Sequence, residues 1–247
     1  SRYSVDDFIW PNDYDSFRTQ QASLGAGYGY NWVFAKNWLF GAQMLGSLSY
    51  MWSQGDAYDR SLSIRDMIKA SYTKTFWNPS VGCLADYVDG SGQNMDVRPN
   101  QLYALWVEHS PLDEELFPSV LKVVGNELVT SRGIRTLSPR DARYRGVYEG
   151  SQIDRDLAYH QGSTRIFLLD VYIEICFRMY GASFLKKAEW LIEGFYEDLN
   201  KHGVGCFSEL YDGDPPHEAH GAISSARSTA ALLNIENVMD KYREVDR

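Results

Sequence analysis

The chain has 247 residues, 44% of them hydrophobic and 23% charged, with a formal net charge of −9 at pH 7. That apolar content can bury one substantial core. An acidic chain with no Lys/Arg-rich run cannot neutralise a phosphate backbone, which excludes nucleic acid as a partner. No stretch approaches the roughly 18 uninterrupted apolar residues of a membrane span, so no membrane partner is expected, and the expected location is cytoplasmic.

Cys83, Cys176 and Cys206 form no C-x-x-C pair and are odd in number, which reads as reduced, buried thiols rather than a disulfide framework or a zinc site. His109, His160, His202, His217 and His220 include no helical pair at ligand spacing, so neither metal nor cofactor is expected. The start, Ser1-Arg-Tyr-Ser-Val-Asp-Asp7, has no initiator Met and no basic-then-apolar signal pattern, and a fragment of a longer polypeptide is the expectation.

In chain order, residues 1–36 read as a divergent N-terminal segment and 37–247 as a helical domain. Trp38, Leu39, Met44, Leu45, Leu48 and Trp52 fall at helical spacing over 37–54, and Leu62, Ile64, Ile68, Tyr72 and Phe76 repeat it over 58–76. Pro99 opens a helix over 99–109. Leu112-Asp-Glu-Glu115 opens another to about Val129, its acidic first turn suited to the helix dipole. Helices follow over 163–180 and 183–199, parted by Gly181, and a last one runs over 224–242. The pattern predicts seven helices in antiparallel pairs and no sheet. The fold class is therefore all-α, laid out as a toroid of helical hairpins with the long loops gathered at one rim.

Those loops, 78–98, 131–162 and 201–223, are rich in Gly, Pro, Asp and Arg and longer than ordinary connections, which marks them as functional. Their residue types suit sugar. Hydrolysing a glycosidic bond takes two carboxyl groups, and holding a sugar takes fork donors and aromatic faces. Asp86, Asp89, Asp96, Asp156, Glu209, Asp212 and Asp214 supply carboxylates; Arg98, Asn100 and Gln101 supply donors; Tyr87, Tyr159 and Tyr211 supply rings. A plainer reading stands beside each. Arg98 and Asp156 can pair with each other or cap helices, His160 and Gln161 can cap the helix that follows, and Asp212-Gly-Asp-Pro-Pro216 can be an Asx-type turn. Glu209, beside Leu210, is either a functional carboxyl with a raised pKa or a buried group with a partner.

The order of the segments adds a resemblance. Phe76-Trp-Asn-Pro-Ser-Val-Gly-Cys-Leu-Ala-Asp-Tyr-Val-Asp89 is followed by Arg98-Pro-Asn-Gln101, Gly133-Ile-Arg-Thr-Leu-Ser-Pro139 and Tyr148-Glu-Gly150. Then come Arg155-Asp-Leu-Ala-Tyr-His-Gln-Gly162 and Ser208-Glu-Leu-Tyr-Asp-Gly-Asp-Pro-Pro-His217. In this order they resemble the amylo-α-1,6-glucosidase domain of glycogen debranching enzymes, from about residue 37 to the end. The resemblance implies an (α/α)6 barrel, here incomplete, and inverting hydrolysis of α-1,6-linked glucose at branch points of glycogen or limit dextrin. It implies Glu209 as general base, with Arg98, Asn100, Gln101, Asp156, His160 and Gln161 lining a glucose pocket that Tyr159 and Asp214 complete. Further domains or a partner chain would close the barrel.

The chain also departs from that family. The Trp-Met-Asp segment that carries the general acid has as its nearest analogue Ile9-Trp-Pro-Asn-Asp13, with Asp15 close behind, so Asp13 and Asp15 are the candidate acids. A family Glu is replaced by Ala35, and two family Trp positions hold Arg165 and Arg227. Two other readings therefore stand beside hydrolysis: a degenerate, noncatalytic carbohydrate-binding relative, and another helical-toroid enzyme, a lyase or epimerase, in which Tyr159 and His160 move the proton.

Overall fold

A computed structural model describes the backbone of residues 19–23, 29–35, 38–43, 47–53 and 55–245 apart from 202, with side chains from 62 to 243. The chain divides into two compact units, Ser1–Ile68 and Lys69–Arg247. The first contains four strands, β1 (Thr19–Ser23), β2 (Gly29–Ala35), β3 (Trp38–Gln43) and β4 (Ser47–Ser53), in an antiparallel sheet of order β1-β4-β3-β2. The register between β3 and β4 runs from Trp38↔Trp52 to Gln43↔Ser47.

This corrects the helix expected over 37–54. The apolar residues there fit two periods, and the strand period wins: Leu48, Tyr50 and Trp52 alternate with Ser47, Ser49 and Ser53, while Gly41 and Gly46 weaken a helix and aromatic residues favour a strand. Helix α1 (Gly55–Phe76) follows, close to the expected 58–76.

The second unit is mostly helical. Two short hairpins, β5 (Trp77–Asn78) with β6 (Cys83–Leu84) and β7 (Val88–Asp89) with β8 (Gly92–Gln93), lead to α2 (Gln101–Trp106), a 3-10 turn at Glu114–Leu116 and α3 (Phe117–Glu127). After β9 (Val129–Thr130) and β10 (Gly133–Arg135) come α4 (Gln152–His160), β11 (Thr164–Arg165), α5 (Ile166–Tyr180) and α6 (Leu185–Asp198). The chain then forms β12 (Leu210–Tyr211), β13 (Ala219–His220) and α7 (Ala226–Val245). Seven α-helices are thus present among the described residues, but the seventh is α4 rather than the one expected at 37–54.

Helix α5 is the centre of the core. Ile166, Leu169, Val171, Ile173, Ile175, Cys176 and Phe177 are all buried, so the helix is apolar on nearly every side and packs chiefly against α7. Gly181, at φ +58, stops it where a side chain would be strained. Phe177 stacks on Tyr242 with ring centroids 4.5 Å apart and meets Phe184 edge-on, tying α5, α7 and the turn before α6 together. Cys83 and Cys176 are buried and free, and Cys206 is free. Among the described residues, no helix is long and apolar enough to cross a membrane.

The absence of sheet expected from sequence is a second correction. Strands β9 to β13 form a five-stranded sheet of order β13-β12-β11-β10-β9, each strand only two or three residues long. Pairs this short leave no alternation to read in a sequence; they are fixed by the helices that bring them together.

Candidate active site

The small sheet explains how distant polar loops meet. Arg165 pairs with Ile134, Thr164 with Tyr211, and Leu210 with His220, so the segments around 133, 164, 210 and 220 lie side by side. Glycines let them close. A Cβ on Gly213 would overlap the Gly162 carbonyl oxygen and sit 2.5 Å from the Tyr144 hydroxyl. One on Gly221, at φ +72, would lie 2.8 Å from Glu209 Oε2.

Glu209 sits in the strand pair's lead-in, its side chain 34% exposed. The Tyr159 hydroxyl donates to its Oε1 at 2.6 Å, the Ala222 N–H donates to Oε2 at 3.2 Å, and Arg165 Nη1 lies 3.5 Å from Oε1. These contacts hold the carboxyl below the usual glutamate value, with the Tyr159 hydrogen bond the largest cause and the Ala222 N–H next. Of the two readings of Glu209, the raised pKa is corrected, and the carboxyl has partners while staying one-third exposed. Leu210 is fully buried, while the Glu209 side chain meets the donors of Tyr159, Ala222 and Arg165. A carboxylate kept ionised in this way can accept a proton from water but is poorly suited to donate one.

Tyr159 comes from α4, which sequence reasoning missed. The helix is short and polar, but Ser151 and Asp154 form a capping box at its start, with Ser151 Oγ accepting from the Asp154 N–H and Asp154 accepting from the Ser151 N–H. Asp156, Tyr159 and His160 are one turn apart on α4 and share a face. Asp156 and His160 are exposed, Asp156 makes no hydrogen bond or ion pair with the described residues, and the His160 ring meets the Tyr159 ring edge-on at 4.8 Å. His160 and Gln161 therefore end a helix instead of capping the start of the next. The Gln161 carbonyl accepts from the Arg145 N–H.

Arg98 and its neighbours have a different place. Arg98 Nη1 donates to the His160 carbonyl at 2.8 Å and the Thr136 carbonyl at 3.2 Å, and its Nε lies 3.4 Å from Asp96 and 3.6 Å from Asp86. Asn100 donates to Asp86 Oδ1, and Gln101, 7% exposed, bridges the Leu84 N–H and the Arg98 carbonyl. Arg98 ties the end of α4 to the residues before α2, while Asn100 and Gln101 tie the start of α2 to Leu84 and Asp86. The pairing of Arg98 with Asp156 is not formed; Asp86 and Asp96 take that part. Asp89 accepts from the Ser91 N–H and hydroxyl at the tip of the β7–β8 hairpin.

The 208–217 segment is tied mainly to the 144–148 stretch. Asp212, 4% exposed, accepts the Tyr148 N–H at 2.7 Å, and His220 Nε2 lies 3.0 Å from its Oδ1 without the alignment of a hydrogen bond. Asp214 accepts from the Tyr144 hydroxyl at 2.8 Å; burial first, then Asp214, pushes that hydroxyl up to about 12. Arg135 Nε donates to the same Tyr144 oxygen and to the Gly213 carbonyl. Tyr211 is 1% exposed and packs edge-on to Phe195, so it is core and not a sugar platform, whereas Tyr87 is exposed. Asp13 and Asp15 lie outside the described residues.

Arg165 and Arg227 make cation–π contacts. The Arg165 guanidinium is 3.6 Å from the centre of the Tyr159 ring, and Arg227 is 4.7 Å from that of Phe167.

A carboxylate held ionised by donors and open to solvent is one of the two carboxyl groups that glycosidic hydrolysis takes. The sequence profile of the amylo-alpha-1,6-glucosidase family matches residues 43–234, a span holding Glu209, Tyr159 and Arg98, and the chain belongs to that family. No curated protein sequence matches the chain. Among solved structures, neutral trehalase Nth1 from Saccharomyces cerevisiae is similar over 77% of this chain, at 14% identity and a TM-score of 0.45. The chain spans 33% of that trehalase.

Proposed function

We propose that this chain hydrolyses α-1,6-linked glucose at branch points of a glucan, with inversion, and that Glu209 is the general base. The observation that carries this is the placement of Glu209, whose carboxyl accepts from the Tyr159 hydroxyl and the Ala222 N–H with its side chain still one-third open to solvent. In the reaction Glu209 takes a proton from water as the water oxygen attacks the anomeric carbon. The glycosidic bond breaks toward the departing sugar oxygen, which a second carboxyl protonates. Tyr159, beside Glu209, and Asp156, His160 and Gln161 from the same end of α4 supply polar and aromatic groups for the sugar, while Arg98, Asn100, Gln101 and Asp214 set the loops around them.

The helical toroid, a barrel completed by further domains or a partner chain, and a cytoplasmic location belong to the same reading. The second reading is a noncatalytic glucan-binding relative, favoured by the arginines standing at family Trp positions. Proton NMR of glucose freshly released from a branched limit dextrin separates them: inversion of an α-linkage gives β-glucose first. Release of α-glucose first contradicts inversion, and binding without release favours the noncatalytic reading.

A further inference from the structure

Arg165 is the least expected group in the site. It occupies β11, is 4% exposed, and has Glu209 as its sole carboxylate neighbour among the described residues. A buried guanidinium stays charged and needs an anion. Its Nη2 donates to the Tyr159 carbonyl at 3.2 Å, its plane covers the Tyr159 ring at 3.6 Å, and its Nη1 reaches toward Glu209 Oε1 at 3.5 Å. The distances rank the contacts. The direct approach to Glu209 is long, whereas the hold on Tyr159, by ring face and by backbone carbonyl, is close. Tyr159 in turn makes the short 2.6 Å bond to Glu209.

We propose that Arg165 is a positioning residue for Glu209, acting through Tyr159: it clamps the phenol so that Oε1 is filled and Oε2 is left as the proton-accepting oxygen. Oε1 receives both Tyr159 and Arg165, while Oε2 receives only the Ala222 N–H, so an unused lone pair remains on Oε2. Gly221 keeps the opposite wall free of a side chain at that oxygen. Among the described residues, the charged and titratable groups touching Glu209 are Arg165 from β11 and Tyr159 from α4. The loop after β13 adds one backbone N–H. The role of Oε2 in turnover rests on the hydrolase reading; the clamp itself does not.

The test is a carboxyl 13C NMR titration of Glu209, assigned by Glu209→Gln, in wild type, Arg165→Met, Arg165→Lys, Tyr159→Phe and the Arg165→Met/Tyr159→Phe double variant. Arg165→Met and Tyr159→Phe should each raise the Glu209 midpoint, and the double variant should rise by clearly less than the sum, since the two act in series. Arg165→Lys, which keeps the charge but neither fork nor plane, should recover only part of the change and serves as the single-site comparison if Arg165→Met does not fold. An unchanged midpoint in Arg165→Met or Arg165→Lys, or full additivity, overturns the proposal. Where wild type releases glucose, Arg165→Met should lower kcat about tenfold with KM within about twofold. A wild type that releases none sinks the hydrolase reading while the titration still decides the clamp.

Discussion

The Tyr159 hydroxyl and the Glu209 carboxylate meet at 2.6 Å across fifty residues of chain. Tyr159 reaches that point only because α4 is capped at Ser151 and closed at Gln161, and Glu209 because β12 and β13 pair. The site is thus a junction between a helix end and the start of an inner strand.

The bond gives Glu209 a defined pH signature. Its folded pKa is lowered, so its contribution to stability is present above the ordinary value of 4.5 and is lost as pH falls through the folded value. Wild type should therefore be more stable than Glu209→Gln at about pH 6, with the gap closing toward about pH 3. Thermal melts at both pH values check this, and a gap that widens in acid contradicts the assignment.

Arg98 and Asp156 should separate scaffold from sugar contact. Arg98→Ala removes a charged donor from the His160 and Thr136 carbonyls and should cost about 2 kcal/mol in urea unfolding. Asp156→Ala, at an exposed side chain unpaired among the described residues, should stay within about 0.5 kcal/mol while weakening glucan binding. The opposite pattern would exchange their roles.

Gly213 is required by close approach. Gly213→Ala should destabilise by about 1–3 kcal/mol, because the new methyl meets the Gly162 backbone and the Tyr144 hydroxyl. Gly90→Ala, with nothing within 4 Å of the added atom, should change stability by less than about 0.5 kcal/mol. Equal effects in denaturant unfolding would refute the packing argument.

A buried ion pair closes the base of the same sheet. Arg132 Nε lies 2.9 Å from Asp198 Oδ2, with side chains 14% and 5% exposed. Asp198→Ala should cost about 3 kcal/mol by stranding the Arg132 charge, whereas Asp240→Ala, facing Arg243 in solvent, should cost less than about 0.5 kcal/mol. Urea unfolding of the two variants measures the contrast.

The long helices were legible from their apolar residues: Leu191, Ile192 and Phe195 on α6 repeat at three and four residues, and α5 is an apolar run too long for a strand. The 38–53 segment was misread because its aromatic residues satisfy a strand and a helix pattern at once, and the two-residue strands carried no pattern at all. In the site, the polar loops and Glu209 were readable from composition and order. What Arg98, Gln101 and Asp212 hold was not, since their partners, the carbonyls of His160 and Thr136 and the N–H groups of Leu84 and Tyr148, are backbone atoms that no side-chain motif announces. Arg165 was seen only as a lost Trp; its partner Tyr159 lies six residues back and on another element.

The central claim is that Glu209 is the base, and glucose release from a branched limit dextrin by wild type and by Glu209→Gln tests it most directly. Release by wild type, reduced at least about a hundredfold in Glu209→Gln with the fold intact by circular dichroism, is the predicted result. Equal rates from the two proteins would contradict it.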